Sequence, residues 1–172
     1  MARGYTLKKR AEQAAETRRR IAEAAVELHG TIGPARTTLS MVAEKAGVQR
    51  NTLYAHFPDE RALLGACSGL FEERHPLPSA DGWRSAPAGA ARLQMGLAAV
   101  YGWYAETEGM MACVLRDAEV SPLVRETAER GFGPAVSAWR DVLGEGLGET
   151  ARAMLHLALG FWSWRALVRE AG

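Results

Sequence analysis

TTLSMVAEKAGVQRNTLYAHF, residues 37–57, is the stretch of sequence that decides the fold. Apolar residues follow Thr38 at helical spacing, which predicts a two-turn helix with Thr38 as its N-cap. Gly47 ends that helix, because glycine adopts the left-handed conformation in which the chain reverses. A second short helix is predicted over residues 49–56. Three apolar side chains of the stretch are predicted to point into the core: Val48, Leu53 and Phe57.

The outward side chains of the second helix can all form hydrogen bonds, apart from Ala55, and none of them is acidic. A pair of helices that merely packs has no need of such a face, whereas a helix that lies in the major groove of double-stranded DNA does. Together with Thr38 at the start of the first helix, the predicted DNA-binding residues are Gln49, Arg50, Asn51, Thr52, Tyr54 and His56.

Chemistry assigns a role to each of these side chains. The planar guanidinium of Arg50 matches O6 and N7 of guanine, and the amide of Asn51 matches adenine. Thr52 is predicted to contact a base methyl group or a phosphate. Phosphate contacts, which fix the register without specifying sequence, are predicted for Thr38, Tyr54 and His56.

This stretch resembles the DNA-binding motif of the tetracycline-repressor (TetR) family, and the resemblance covers about residues 17–65. The matching positions are Ala43, Gly47, Val48, residues 52–54, His56 and Phe57, with residues 21–28 as the preceding helix. The resemblance implies a repressor that binds an inverted-repeat operator as a homodimer. It also implies that a small ligand releases the repressor from DNA. Glu60 departs from the family's pattern, which commonly has a lysine near this position, and Arg61 is a candidate for the missing phosphate contact.

Charge is distributed unevenly along the 172 residues. Residues 1–57 hold ten basic and five acidic side chains, a net charge of +5, whereas the rest of the chain has a net charge of −4. The basic N-terminal arm, residues 3–20, is expected either to follow the DNA backbone or enter the minor groove, or to be a solvated tail.

Helical periodicity continues beyond the motif, and strand-like alternation is nearly absent, so an all-α fold of roughly eight helices is expected. We expect a DNA-binding domain over residues 1–57 and a helical effector-binding and dimerisation domain over residues 58–172. Proline and glycine predict a flexible connection over residues 75–90. The other helices are predicted over residues 11–30, 60–71, 92–106, 110–114, 122–143 and 149–170.

Aromatic and methionine side chains of the second domain are candidates for an effector cavity, although such residues more often form plain core. The resemblance implies a cavity among these helices, and its composition favours a small apolar or aromatic effector. The candidate ligand-binding residues are Tyr101, Trp103, Tyr104, Met110, Phe132 and Trp139. The candidate dimer-interface residues, all in the last helix, are Trp162, Trp164, Leu167 and Val168. Members of the resembling family commonly end in two long helices, so we expect either a shortened body or a different interface.

Other classes of function find little support in the sequence. Motifs of hydrolases, metalloproteases and nucleotide-binding enzymes are absent, which argues against an enzyme and against a metal or cofactor site. Neither Cys67 nor Cys113 has a partner at a disulfide or zinc spacing, and no run is long enough to span a membrane, so a cytoplasmic protein is expected. Two alternatives stay open: a constitutive DNA-binding protein without effector, and a helical small-molecule-binding protein or enzyme.

Overall fold

The computed structural model describes residues 2–170, with side chains from residue 8 onward. It confirms the all-α prediction, since eight α-helices and no strand occur within these residues. Two short 3-10 helices, Pro34–Arg36 and Asp81–Ser85, lie in connections. The helices are α1 (Ala2–Thr31), α2 (Leu39–Lys45), α3 (Arg50–His56), α4 (Glu60–Arg74), α5 (Ala90–Ala118), α6 (Pro122–Leu143), α7 (Glu149–Ala158) and α8 (Phe161–Glu170).

The chain forms two compact units, each built from two segments of sequence. The first unit comprises residues 2–74 and 112–127, and the second comprises residues 75–111 and 128–170. Helices α5 and α6 therefore contribute residues to both units. The first unit contains the helix pair predicted over residues 37–57 together with α1, α4 and the end of α5.

An aliphatic core fills the first unit. Helix α1 packs against α2, α3 and α4, and Val124 of α6 joins the same core. Leu53 and Phe57 are buried as predicted, whereas Val48 is only partly buried. Burying each of these larger side chains contributes about 1.5–3 kcal/mol. The largest buried members are Ile21, Val42, Leu53, Phe57, Leu63 and Leu64.

Aromatic rings dominate the core of the second unit. The rings of Tyr104 and Phe161 lie 5.4 Å apart, edge to face, and the ring of Trp164 lies 5.5 Å from that of Tyr104. The rings of Trp103 and Phe132 meet edge to face at 5.8 Å. Such geometries are those that the charge distribution of aromatic rings favours.

Residues 75–90 are ordered by tryptophans rather than being the flexible connection that was predicted. Trp83 is buried within the 3-10 helix Asp81–Ser85. The indole N–H of Trp103 donates to the carbonyl of His75 at 3.0 Å, and that of Trp139 donates to the carbonyl of Pro78 at 2.7 Å. These long-range contacts override the local preference of proline and glycine for flexible turns.

Three predicted helix limits were also wrong. Helix α1 starts at Ala2 rather than at residue 11. Helix α5 continues through Gly109 as one helix, because a single glycine costs only about 1 kcal/mol and tertiary packing offsets that. The last predicted helix is divided into α7 and α8. The hydroxyls of Tyr101 and Tyr104 donate to the carbonyls of Ala158 and Leu159, which satisfies acceptors that the break leaves free.

Candidate nucleic-acid interface

Backbone and side-chain hydrogen bonds fix the turn between α2 and α3. Thr38 is the N-cap of α2, as predicted, and its hydroxyl oxygen accepts from the backbone N–H of Met41 at 3.2 Å. Gly47 has a φ of +63°, which favours glycine. The N–H of Val48 then donates to the carbonyl of Ala43 at 2.9 Å. The helix-turn-helix predicted from the sequence is therefore present.

The outward face of α3 is polar, and most of its side chains are exposed. Gln49, Arg50, Asn51 and Tyr54 are exposed, and Thr52 and His56 are half-buried. Within the described part of the chain, neither the guanidinium of Arg50 nor the amide of Asn51 has an internal hydrogen-bond partner. Side chains of this kind, free at the surface of a short helix, are available to base edges and phosphates.

Arg18 of α1 holds the C-terminal end of α3. Its guanidinium donates to the backbone carbonyl of His56 at 2.5 Å and lies 4.1 Å from the centre of the Phe57 ring. This contact combines a charge-assisted hydrogen bond to a helix C-terminus with a cation–π interaction. Arg18 belongs to the basic arm for which either DNA contact or a solvated tail was expected, and nothing local in the sequence indicated that it supports α3.

The rest of the predicted basic arm is helical, and its basic side chains differ in whether they form an ion pair. Arg19 pairs with Glu23 at 3.3 Å. Lys8, Lys9, Arg10 and Arg20 are exposed. Arg3 belongs to the residues whose side chains lie outside the described part of the chain.

Arg61, the candidate for the phosphate contact of the missing lysine, forms an ion pair within the chain. Its guanidinium lies 2.9 Å from both carboxylate oxygens of Glu126 in α6. Asp59 caps the start of the same helix α4, since its carboxylate accepts from the N–H of Ala62 at 2.7 Å. The suggested replacement of a lysine by Arg61 therefore conflicts with the ion pair that Arg61 forms.

A buried carboxylate fixes the segment that leads into α2. Asp117, near the end of α5, is 3% exposed and accepts from the N–H of Ala35 at 2.8 Å. Arg116 bonds both to Asp117 and to the carbonyl of Ile32. Gly33, with a φ of +99°, lies against this pair, and a Cβ there would be 2.3 Å from an oxygen of Asp117. Sequence reasoning missed this cluster, because more than eighty residues separate its members.

Residues 21–67 match the family model described as bacterial regulatory proteins of the tetR family. The chain carries a TetR-family helix-turn-helix domain. The match spans α2 and α3 with the last third of α1 and the first half of α4, and it confirms the resemblance predicted from residues 37–57.

Curated relatives are similar to this chain over part of its length. The transcriptional regulator TtgR of Pseudomonas putida is 44% identical over 64 residues, which are 37% of this chain and 30% of TtgR. The class A tetracycline repressor protein from transposon 1721 of Escherichia coli is 38% identical over 76 residues, 42% of this chain and 35% of the relative. The matched segment thus spans about a third of each relative. One of these relatives is named as a transcriptional regulator and the other as a repressor.

Similarity of fold extends over nearly the whole chain. A solved structure of a HlyIIR mutant protein superposes with a TM-score of 0.65 at 15% identity, and covers 92% of both chains. At this level of identity the likeness concerns the fold alone. The likeness of fold includes residues of the second unit, which the family model does not reach.

The predicted effector-binding side chains form part of the aromatic core of the second unit. Trp103, Tyr104 and Trp139 are buried, and Tyr101, Met110 and Phe132 are half-buried. The two phenol hydroxyls and the two indole N–H groups donate to backbone carbonyls of the same unit. Burial raises the pKa of Tyr104 to about 12, so its hydroxyl stays protonated. That these residues line a cavity stays a prediction.

The predicted dimer-interface residues differ in accessibility. Trp162, Leu167 and Val168 are each about half exposed, at 45%, 54% and 55%. Trp164 is buried among the rings of Tyr104 and Phe161 and belongs to the core. Met154 and Leu157 of α7 add two exposed apolar side chains that the sequence reasoning did not select.

The residues that the structure describes offer no candidate site of two other kinds. No group of three or more potential metal-ligating side chains occurs among them. None of the helices in this part of the chain combines the length and the apolar character that crossing a membrane requires.

Proposed function

We propose that this chain is a transcriptional repressor that binds an inverted-repeat operator as a homodimer. The observation that carries the proposal is the exposed, unpartnered polar face of α3 within a TetR-family helix-turn-helix. Arg50 is the base-reading residue and Asn51 its neighbour in the groove, while Thr38, Tyr54 and His56 contact phosphates. Gln49 and Thr52 complete the contact surface.

A homodimer follows from the size of the recognition surface. One seven-residue helix presents few base contacts, whereas two copies related by a two-fold axis contact half-sites about 34–36 Å apart. The exposed large apolar side chains of α7 and α8 support this assembly, because protein interfaces cover such side chains. The proposed interface consists of Trp162, Leu167 and Val168, with Met154 and Leu157 beside them.

The sharpest test of the DNA-binding face is Arg50→Ala. Operator DNA from the chain's own upstream region and a scrambled duplex are compared by fluorescence anisotropy from about 50 to 200 mM salt. We expect the variant to lose about 1–3 kcal/mol of operator affinity, and to lose little on the scrambled duplex.

Arg140→Ala, an exposed arginine of the second unit, is the matched control and is expected to leave both affinities unchanged. Equal losses on the two duplexes would instead assign Arg50 to phosphate contact. Salt-independent binding, or equal weak binding of both duplexes by the unmodified chain, would contradict the repressor itself.

Release by a small, largely apolar ligand completes the proposed function. A ligand that binds one arrangement of the second unit more tightly shifts the population toward it. We therefore expect an effector to raise the melting temperature and to weaken operator binding in the same titration.

One observation favours a second candidate, a DNA-binding protein without effector. The hydroxyls and indole N–H groups of the aromatic cluster are already bonded inside the chain, as in a plain core. A screen of aromatic compounds in which none raises the melting temperature would favour this candidate.

A further inference from the structure

A cavity of about 340 Å³ lies entirely within the first unit. Its walls come from the end of α1, the segment before α2, the start of α4 and the connection from α5 to α6. Aliphatic side chains form much of its lining, among them Leu39, Leu63, Leu64 and Leu123. This volume is at the lower end of the range for ligand pockets and suits a molecule with a single ring.

His29 supplies a hydrogen-bond acceptor to this cavity. The imidazole lines the cavity but is otherwise buried, at 7% exposure. Its Nδ1 lies 3.3 Å from Sγ of Cys67, whose thiol donates to the carbonyl of Leu64 at 3.2 Å. Since the single thiol proton is used there, Nδ1–H donates to the sulfur and Nε2 keeps its lone pair. Nε2 has no protein partner among the described residues.

The ionisation states of both groups agree with this arrangement. Burial lowers the pKa of His29 to about 4, although Asp117 acts in the opposite direction, so the imidazole is neutral at pH 7. Burial raises the pKa of the Cys67 thiol to about 12, so the proton that bonds Leu64 is retained. A neutral imidazole with a free Nε2 accepts a hydrogen bond and cannot donate one from that atom.

The charge of the cavity favours a cation. Glu60, exposed at the start of α4, is the one ionised side chain among the lining residues. Arg61, which follows it, is engaged by Glu126. No lysine or arginine lines the cavity to neutralise Glu60 or to attract an anion.

We propose that the first unit holds a small-molecule site of its own, which binds a single-ring apolar molecule carrying a hydrogen-bond donor, best a protonated amine. The ring lies among the leucines, the donor bonds Nε2 of His29, and the positive charge lies near Glu60. This site is separate from the aromatic cluster of the second unit, and it does not depend on the proposed binding of DNA.

Three probes of similar size distinguish the features of the site: benzylamine, benzyl alcohol and benzoate. The full chain is titrated with each, and the imidazole C–H signal of His29 is followed by NMR. This signal is assigned among the four histidines with a His29→Gln variant. We expect saturable shifts with the amine and, more weakly, with the alcohol. Benzoate, which lacks a donor and is repelled by Glu60, is expected to cause no shift.

Three exposed positions provide variants that leave the core intact. Glu60→Gln is expected to weaken benzylamine about two- to fivefold and to leave benzyl alcohol unchanged, since an exposed charge contributes little more than that. Glu73→Gln, the same change on the exposed side of α4, is the control and should affect neither probe. Val120→Trp, at a lining residue that is 77% exposed, is expected to block both.

Each opposite result overturns the proposal. Absence of a saturable shift with the amine and the alcohol, or equal binding of all three probes, removes the site. Binding that persists in Val120→Trp places the probes elsewhere. A loss for the amine that is the same in Glu60→Gln and Glu73→Gln removes the role of Glu60.

Discussion

The exposed surfaces of α3 and of α7 and α8 differ in the polarity of their side chains and in the interactions that hold the helices in place. The face of α3 is polar; Arg18 bonds the backbone at the end of that helix, and Asp117 bonds the backbone of the segment before α2. Helices α7 and α8 expose several large apolar side chains, and these helices are held by packed rings and by the hydroxyls of Tyr101 and Tyr104. Polar supports depend on exact distances and on protonation, whereas packed rings do not titrate. The two units should therefore respond differently to the same disturbance.

The five tryptophans make this comparison measurable. All of them belong to the second unit, so tryptophan fluorescence follows that unit alone. Signals of His29 and Tyr54 follow the first unit.

The largest difference is expected between two glycine substitutions. Gly33→Ala meets both a φ of +99° and the Arg116–Asp117 pair, so we expect the first unit to lose about 4 kcal/mol of unfolding free energy. Gly146→Ala in the second unit has a φ of +75° but open space around it, and about 1 kcal/mol is expected. Urea unfolding followed by both signals measures each loss. Equal losses would mean that the Asp117 cluster does not hold the first unit.

Acidification is expected to weaken the first unit selectively. The pKa of His29 is about 4 in the folded chain because of burial, against 6.5 in the unfolded chain. The unfolded chain therefore binds more protons below pH 6.5, and about 3 kcal/mol of stability, present above that pH, is lost as the pH falls to 4. Cys67, Asp117 and Glu60 are the other titratable groups around this imidazole.

Glu108 and Glu145 of the second unit do not interfere in most of this range. Arg169 and Arg165 lower the pKa of Glu108, and Arg84 and Arg92 lower that of Glu145, from the usual 4.5. Titration of the His29 imidazole signal measures its pKa directly. A value near 6.5 would show that the imidazole is not buried as described.

A smaller effect is expected when the apolar face is made charged. Leu167→Glu is expected to weaken self-association by about 2 kcal/mol, or roughly thirtyfold, because it places a carboxylate in the proposed interface. Met95→Glu, at another exposed apolar residue of the second unit, is the control. Sedimentation over a range of concentrations measures the change. Unchanged association in Leu167→Glu would place the dimer interface elsewhere.

The smallest effect is expected at Arg18. Arg18→Gln removes the cation–π contact with Phe57 and weakens the hydrogen bond to the His56 carbonyl, and about 1 kcal/mol of stability should be lost. Arg18→Lys keeps the charge and is expected to recover part of it. Amide exchange in α3 detects the change, because the end of this helix would fray first. If α3 exchanges at an unchanged rate, Arg18 does not support it.

Prediction from sequence succeeded where the determining residues are close together in the chain. Thr38, Gly47, Leu53 and Phe57 lie within one short stretch, and local capping, turn geometry and periodicity were sufficient there. Prediction failed where distant residues decide. The break between α7 and α8 is satisfied by Tyr101 and Tyr104, which no local pattern near residue 160 could indicate.

The predicted site shows the same limit. The outward face of α3 follows from helical periodicity alone, and its residues were predicted individually. Arg18 of α1 bonds the end of α3, and Asp117 of α5 bonds the segment before α2. The sequence around these two residues does not indicate that their side chains contact distant backbone groups. The His29–Cys67 pair was missed for the same reason, since the two residues are 38 positions apart.

The first unit is assembled from two separate segments of the chain. This arrangement limits where chimeras between related proteins can be joined. A chimera joined once, after residue 74, would leave behind Asp117 and Val124, which belong to the same unit. The segment before α2 would then lose its buried carboxylate, and the core would lose an aliphatic side chain. Exchange of this unit between relatives therefore requires the joint transfer of two segments, residues 2–74 and 112–127, rather than of one continuous segment.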